Sequence, residues 1–188
     1  MKRVLCVVGS PRKNGNTHIL VDRILEGAQE EGAAGELLFL GDLNVRECDG
    51  CHVCWQGRAC SKNDDMNRIY PTLAESDVIV FGTPVYWYGP TALMKGFIDR
   101  FVYFGCPQNR AYVRGKPAAL AIPFEEEDLE MAAPLVTFFQ KSFQYLEMEL
   151  AGQVLAPGVT ARGEVLEHAD RLEEARELGR RLAKIPRP

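Results

Sequence analysis

Short, continuously apolar runs alternate with longer amphipathic segments along this chain. The first run, RVLCVVGS, ends in Gly9-Ser10 and has the length and composition of a strand that is buried on both faces of a sheet. Four later runs share these properties. The sequence therefore predicts five strands: RVLCVVGS, GELLFLGDL, DVIVFGTP, KPAALAIPF and GQVLAPGVT.

The segments between the runs carry apolar residues at helical spacing. After the first strand, Leu20, Ile24 and Ala28 recur every four residues, and Gly32 is a C-terminal cap. The other predicted helices are DDMNRIYPTLAES, TALMKGFIDRFVYFG, residues 129–150, and a final helix that places Val165, Ala169, Leu172, Leu178 and Leu182 on one face. The acidic run 125–128 is interpreted as a solvated start of the helix at 129–150.

Strands that alternate with helices predict crossover units and a parallel sheet with helices on both faces. At 188 residues the chain predicts one domain, residues 1–188, of the doubly wound α/β class with five strands. A cysteine-rich loop at about 44–63 interrupts the alternation. In such a sheet, ligands bind at the carboxyl ends of the strands where the strand order reverses, here between the first and third strands.

Charge and hydropathy narrow the possible partners. The formal net charge is -4 and the basic residues are scattered, so no nucleic-acid surface is expected. No apolar run is long enough for a membrane span and no leader pattern is seen, which predicts a soluble, cytoplasmic protein. Thiols stay reduced in that compartment, so clustered cysteines there favour metal binding or redox chemistry over disulfides. A small-molecule partner is expected.

The loop after the first strand has the composition of an anion site. It carries hydroxyls, amides and cations and opens into a helix N-terminus, where free N–H groups and the helix dipole attract phosphate. Its candidate ligands are Ser10, Arg12, Lys13, Asn14, Asn16 and Thr17. Neither the G-x-G-x-x-G fingerprint nor a P-loop is present. The alternative is an ordinary polar turn capped by Thr17 or Asn16.

The loop after the third strand is unusually aromatic. Tyr86, Trp87 and Tyr88 lie between Pro84 and the Gly89-Pro90 turn, and loops of this kind cover flat or apolar ligands. The alternative is that these rings fill a core gap or a subunit interface. A phosphate site and an aromatic wall at one switch point together predict a planar ring that carries one phosphate, and FMN has this structure.

Cys48, Cys51, Cys54 and Cys60 form the spacing C-x-x-C-x-x-C-x-x-x-x-x-C. Short irregular loops with close thiols hold iron–sulfur clusters, and glycines at positions 50 and 57 help the backbone to bend. Zinc usually takes two C-x-x-C pairs that are separated by a longer segment. A cluster, free or redox-active thiols, and zinc all remain open at this point. No acid–base catalytic residue is nominated, since flavin chemistry requires none.

Several of these motifs together resemble a known family. GSPRKNGNT after the first strand, GTPVYWYG after the third and the following LMKGFIDR resemble the flavodoxin-like NADPH-dependent FMN reductases. The cysteine spacing is similar to that of the iron–sulfur flavoprotein branch of this family. The resemblance spans the chain from its start to about Arg100, and the later half matches in its α/β pattern only.

The resemblance implies a flavodoxin-like fold, specific site residues and specific cofactors. The residues implied for FMN are Ser10, Arg12, Asn14, Asn16, Thr17, Pro84, Val85, Tyr86, Trp87 and Gly89, and those implied for a 4Fe-4S cluster are Cys48, Cys51, Cys54 and Cys60. It also implies NAD(P)H as a donor, a small-molecule or small redox-protein partner, and a homodimer or homotetramer with flavin near a subunit contact.

Three functions follow as hypotheses. The first is an FMN-dependent oxidoreductase or electron-transfer flavoprotein that exchanges electrons between FMN and a 4Fe-4S cluster. Its variant without a cluster is an NAD(P)H-dependent FMN or quinone reductase. The alternatives from other classes are a zinc-binding interaction module and an enzyme that acts on another phosphorylated metabolite at the same anion loop.

Overall fold

Five strands form one parallel sheet in the computed structural model, which describes residues 1–187. They are β1 (Arg3–Val8), β2 (Ala34–Phe39), β3 (Val78–Gly82), β4 (Pro117–Pro123) and β5 (Glu149–Ala156), in the order β2-β1-β3-β4-β5. The prediction of a doubly wound α/β fold is thereby confirmed. The order reverses between β1 and β3, which fixes the place of the ligand crevice.

Among residues 1–187, six helices cover the two faces of the sheet. They are α1 (Asn16–Glu30), α2 (Met66–Glu75), α3 (Ala92–Asp99), α4 (Val102–Gly105), α5 (Ala133–Leu146) and α6 (Ala169–Lys184). Short 3-10 turns occur at Leu40–Asp42, Val53–Gln56, Arg110–Tyr112, Leu129–Ala132 and Glu164–Glu167. No helix among residues 1–187 combines the length and hydropathy that a membrane span needs.

Alternate residues of each central strand enter two separate cores. In β1, Leu5 and Val7 pack with α2, α3, α4 and α5, whereas Val4, Cys6 and Val8 pack with α1 and α6. Cys6 is a small core residue, because its side chain is wholly buried, and burial raises the pKa of its thiol. Two packed faces explain why these strands are apolar throughout.

Helices α1 and α6 cross at close range because two glycines lie at their contact. A Cβ atom on Gly27 would lie 1.9 Å from the carbonyl oxygen of Arg176, and one on Gly179 would lie 1.9 Å from the carbonyl oxygen of Ile24. The contact fixes α1, and with it the position of the loop at its N-terminus.

Three predicted helices have different bounds in the structure, and the last of them begins at Ala169, so that Val165 lies in the 3-10 turn before it. The segment 129–150 begins with a 3-10 turn and its helix ends at Leu146, because Glu147 takes a left-handed conformation with φ 58° and the N–H of Met148 bonds to the carbonyl of Phe143 at 2.9 Å. No glycine marks this stop. The segment TALMKGFIDRFVYFG is broken around Arg100 into α3 and α4, since the N–H groups of Arg100 and Phe101 bond three residues back.

Candidate functional site

A crevice lies at the carboxyl ends of the strands, at the switch point between β1 and β3. Its first part is a cavity of about 130 Å³ and its second part a cleft of about 450 Å³, and the two share Val85, Tyr86 and Glu125 in their walls. The first part is lined by Ser10, Arg12, Asn16, Thr17, Pro84, Val85, Tyr86, Pro123, Phe124, Glu125, Val159 and Thr160. The second part adds Trp87, Tyr88, Glu126 and Met131.

One end of this crevice offers unpaired donors to an anion. Gly15 precedes α1 without a side-chain cap, and the N–H groups of Asn16 and Thr17 have no acceptor among residues 1–187. The hydroxyl-bearing Ser10 and Thr17 are buried there. Arg12 projects beside them, and its guanidinium donates to the carbonyl oxygen of Thr160 at 3.2 Å. Free N–H groups, hydroxyls and a guanidinium at a helix N-terminus are a phosphate-binding set.

Asn16 lines the cavity, but its amide also joins α1 to the loop after β5. The amide nitrogen donates to the carbonyl of Ala161 at 2.9 Å, and the amide oxygen accepts from the N–H of Val165 at 3.2 Å. Asn14 lines neither part of the crevice, and its φ of 54° turns the loop. Lys13 is directed elsewhere, with its ammonium 2.6 Å from a carboxylate oxygen of Asp42. Arg12 is therefore the cation that lines the cavity.

The other end of the crevice is an aromatic hairpin. The N–H of Tyr86 donates to the carbonyl of Gly89 at 2.9 Å, and the N–H of Gly89 donates back at 3.0 Å. Trp87 and Tyr88 at the tip have φ values of 50° and 62°, a left-handed pair that hairpin turns normally fill with asparagine or glycine. Trp87 is 96% exposed. Gly89 closes the hairpin and does not line either part of the crevice.

Buried hydroxyls hold the two loops against each other. Thr91 caps α3 by accepting from the N–H of Met94 at 3.1 Å, and its N–H donates to Thr83 Oγ1 at 3.2 Å. Its own hydroxyl donates to the carbonyl of Gly9. Thr83 and Thr91 are both buried, so these bonds are shielded from water.

The loops after β4 and β5 supply wall residues that the sequence analysis missed. Phe124 and Glu125 follow β4, and Val159 and Thr160 follow β5. Glu164 fixes the loop after β5, because its carboxylate accepts hydrogen bonds from the N–H of Thr160 at 2.5 Å and from the N–H of Ala161 at 2.7 Å. These bonds lower the pKa of Glu164. The one signal in the sequence for these wall residues is that both loops follow the carboxyl ends of predicted strands.

The acidic run 125–128 is not a helix start. It forms the loop after β4, and Glu125 and Glu126 border the crevice. Only Asp128 acts as a cap, because its carboxylate accepts from the N–H of Glu130 at 3.0 Å.

The four clustered cysteines line a second, smaller cavity of about 20 Å³. Cys48, Cys51, Cys54 and Cys60 all contribute to its wall, together with exposed His52. Within residues 1–187, no three cysteine, histidine or carboxylate side chains converge on a point where one metal ion would sit. Cys54 is buried. Burial is the larger cause that raises the pKa of its thiol, and the neighbouring Cys106 raises it further.

Other donors surround this cysteine cavity. The N–H of Gly50 points to Cys48 Sγ at 3.5 Å, and the hydroxyl of Ser61 lies 3.2 Å from Cys51 Sγ. Gly50 and Gly57 both have positive φ with open space where a Cβ would lie, a backbone conformation that glycine adopts without strain. Four thiols on one cavity are the donor set of a 4Fe-4S cluster, and the residues fit that group in kind and number.

A buried ion pair lies beside the cysteine cavity, and its arginine lines the wall. Arg100 and Asp64 have side chains that are 1% and 0% exposed, and they meet with a shortest N–O distance of 2.5 Å. Burial opposes both charges, but the hydrogen bonds of the pair prevail, so the pKa of Asp64 is lowered and that of Arg100 is raised. The sequence predicts a helix at Arg100 and gives this residue no role.

Comparisons with known proteins identify the family of this chain. The family described as NADPH-dependent FMN reductase matches residues 2–137. An iron-sulfur flavoprotein of Archaeoglobus fulgidus is 34% identical over 110 residues, which cover 58% of this chain and 49% of that protein. This chain thus spans about half the length of the curated iron-sulfur flavoproteins that it matches.

Two further proteins are similar along almost the whole chain. YwqN of Bacillus subtilis, provisionally named as an NAD(P)H-dependent FMN-containing oxidoreductase, is 24% identical over 183 residues, 95% of this chain and 97% of that protein. The solved structure of a Trp repressor binding protein from Bacillus subtilis superposes with a TM-score of 0.70 at 23% identity, covering 94% of this chain and 98% of that one. The second likeness concerns the fold alone.

Proposed function

The chain belongs to the NADPH-dependent FMN reductase family, and from that premise we propose that it is an FMN-dependent oxidoreductase that takes electrons from NAD(P)H. The observation that carries this proposal is the two-part crevice at the switch point. One end presents the N-terminus of α1 and Arg12, and the other end presents the hairpin of Tyr86 and Trp87. A single ligand that is anionic at one end and flat at the other fits both.

The residues present fit FMN in chemistry. Ser10, Arg12 and Thr17 would hold the phosphate together with the N–H groups of the first turn of α1. Pro84, Val85, Tyr86 and Trp87 would lie along the ribityl chain and the ring. Asn16 would act mainly by fixing the loop after β5, and Asn14 and Gly89 by shaping the loops. FMN, when bound, supplies acceptance of a hydride and release of its electrons singly or as a pair.

The protein's own part in such a reaction is to bind, orient and shield. The hairpin and the loop after β4 enclose the ring end of the crevice from two sides. The buried bonds of Thr83 and Thr91 hold the walls at a fixed separation. No side chain acts as an acid or a base in this proposal.

The proposal extends to the four cysteines, which would hold a 4Fe-4S cluster that supplies one-electron transfer. Support comes from their common cavity and from the names of the partly aligned relatives. A second candidate is a cluster-free NAD(P)H-dependent FMN or quinone reductase. The nearly complete alignment with YwqN favours it. Either form would act in the cytoplasm as a homodimer or homotetramer, with a small molecule or small redox protein as acceptor.

Titration of the flavin-free chain with FMN, riboflavin and glucose 6-phosphate tests the proposal that the crevice binds FMN. FMN should bind at least tenfold more tightly than riboflavin, since only FMN carries the phosphate. Preference for the sugar phosphate would select another phosphorylated metabolite as the ligand. Reduction of bound FMN by NADH and by NADPH, followed by its absorbance, then measures donor use.

Anaerobic purification with analysis of iron, acid-labile sulfide and zinc tests the cluster. About four iron and four sulfide per chain in the wild type, and loss of both in Cys51→Ser, would support it. FMN without iron would favour the cluster-free reductase. One zinc without iron or flavin would favour the zinc-binding interaction module.

A further inference from the structure

The side chain of Arg100 joins three separate parts of the cysteine loop. Its Nη1 donates to the carbonyl oxygen of Arg46 at 2.8 Å and to Asp64 Oδ2 at 2.5 Å. Its Nη2 donates to Asp64 Oδ1 at 3.2 Å and to Cys60 Sγ at 3.2 Å. Arg46 precedes the first of the four clustered cysteines, Cys60 is the last of them and Asp64 follows it. One guanidinium therefore closes the loop at both ends.

Arg100 is buried although its side chain carries a charge. Arg100 is the largest fully buried side chain among the described residues, and it is 1% exposed. A buried ion pair is weak evidence of a stabilising role, because a hydrophobic pair of similar volume is often equally stable or more stable. The planar guanidinium bonds a carboxylate, a carbonyl and a sulfur at once and so fixes their relative positions. The single ammonium of lysine cannot reproduce this geometry.

The position of Arg100 also connects the two candidate sites. Helix α3 begins at the Thr91 cap, which is bonded to the loops of the crevice, and ends at Arg100 in the wall of the cysteine cavity. Its eight residues span about 12 Å. On the far side, the hydroxyl of Tyr70 donates to the carbonyl of Arg100 at 3.3 Å and holds the end of the helix.

We propose that Arg100 is a positioning residue that forms the four-cysteine cavity before any cofactor enters it, by fixing Cys60 and both ends of the loop to the end of α3. The inference rests on the proposed function only in treating the four cysteines as ligands. Its structural core, that the loop 44–63 is ordered by this guanidinium, holds for the chain without metal as well.

The variant that tests this must remove the fork without leaving a buried charge. Arg100→Met alone would strand Asp64, which is strongly destabilising. The double variant Arg100→Met/Asp64→Asn removes both charges. Asp64 accepts the N–H of Arg46 on Oδ2 at 3.0 Å and that of Met66 on Oδ1 at 3.1 Å, and the single amide oxygen of asparagine keeps one of these two bonds.

A neighbouring pair provides the matched control. Arg68 and Asp65 form an ion pair at 3.1 Å with side chains that are 64% and 31% exposed, and Asp65 accepts from the N–H of Asn44 at 2.8 Å. Arg68→Met/Asp65→Asn makes the same chemical change at the same end of α2, without a contact to a cysteine.

Hydrogen exchange of the full chain without metal is the first measurement. Amides in 44–63 should exchange at least tenfold faster in the Arg100/Asp64 variant than in the wild type and the Arg68/Asp65 control, while those of β1 and β3 stay protected in all three. Equal exchange of 44–63 in the two double variants would overturn the proposal. If the double variant loses protection throughout the sheet, it has unfolded, and Arg100→Lys is measured in its place. Faster exchange confined to 44–63 is expected for Arg100→Lys, and wild-type exchange would overturn the proposal.

Titration with Co²⁺ under anaerobic conditions is the second measurement, because thiolate ligands give Co²⁺ an intense charge-transfer absorbance. Binding should weaken at least tenfold in the Arg100/Asp64 variant and stay unchanged in the Arg68/Asp65 control. Wild-type affinity in both would contradict the proposal. FMN affinity, measured on the same samples, reports on the proposed function and is expected to be unchanged, so that the two ideas fail separately.

Discussion

The hydroxyl of Thr91 donates a hydrogen bond of 2.5 Å to the carbonyl oxygen of Gly9, which joins the loop after β3 to the loop after β1. Thr91 Oγ1 also accepts from the N–H of Met94 at 3.1 Å and so caps α3. Thr91 is 2% exposed, so water cannot replace either partner. One side chain thus sets the separation between two walls of the proposed FMN crevice.

Thr91→Val should separate the contribution of the Thr91 hydroxyl bonds from that of side-chain packing, because valine has the same shape without the hydroxyl. Loss of the cap and of the bond to Gly9 is expected to lower the free energy of unfolding by about 2 kcal/mol. FMN affinity should fall as the loops loosen. Denaturant titration and flavin fluorescence measure the two effects. Thr91→Ser keeps the hydroxyl and should stay close to the wild type, whereas a fully stable Thr91→Val with unaltered FMN affinity would refute this role.

Arg12→Ala should weaken FMN binding by about tenfold to a hundredfold, because a charge-assisted contact to phosphate is lost. Riboflavin has no phosphate, and its affinity should not change. Lys13→Ala is the matched control, since the ammonium of Lys13 lies 2.6 Å from Asp42 and not in the cavity. Equal losses for FMN and riboflavin, or a larger loss in the Lys13 variant, would show that Arg12 does not bind the phosphate.

Local pattern predicted the sheet, its switch point and the two loops that line the crevice. These are properties of short segments, such as buried apolar runs and the polar stretch that opens α1. What the sequence could not supply is pairing over long distances. Arg100 follows Asp99 in a helical segment and looks like an exposed charge, but its partners Arg46 and Asp64 lie 54 and 36 residues away.

The walls after β4 and β5 were missed for a related reason. Phe124, Val159 and Thr160 carry no motif, and only the assembled sheet brings them to the crevice. The acidic run at 125–128 has the composition of a helix start, but in the structure it forms the loop that follows β4 and borders the crevice.

The hairpin tip predicts a conflict between stability and binding. Trp87 and Tyr88 hold left-handed backbone conformations that cost non-glycine residues free energy. Trp87→Asn/Tyr88→Gly suits this turn and should raise the free energy of unfolding of the flavin-free chain by about 1 kcal/mol. The same change removes rings from the crevice and should weaken FMN binding. Trp87→Phe keeps both the ring and the strain, so it should change neither quantity, and a destabilised double variant would contradict the strain argument.

Lys116 is a buried cation that the proposed function does not use. Its ammonium donates to the carbonyl oxygens of Leu73 and Ala74 at 2.6 and 3.0 Å, near the end of α2, and the side chain is 4% exposed. Burial lowers the pKa of Lys116 from 10.5 to about 8, and nearby Asp77 opposes this shift. The folded chain therefore binds fewer protons than the unfolded chain between about pH 8 and 10.5.

Because the unfolded state binds more protons in that window, the contribution of Lys116 to stability increases as the pH rises from about 8 to 10.5 and is smallest below pH 8. The free energy of unfolding of the wild type should gain up to about 3 kcal/mol relative to Lys116→Met between pH 7 and pH 10.5. Denaturant titrations of both proteins at several pH values give this difference. Other groups that titrate at alkaline pH are common to both proteins, so their effects cancel. A difference that is flat or declines with pH would show that the ammonium keeps its ordinary pKa, held by the two carbonyl groups at the end of α2.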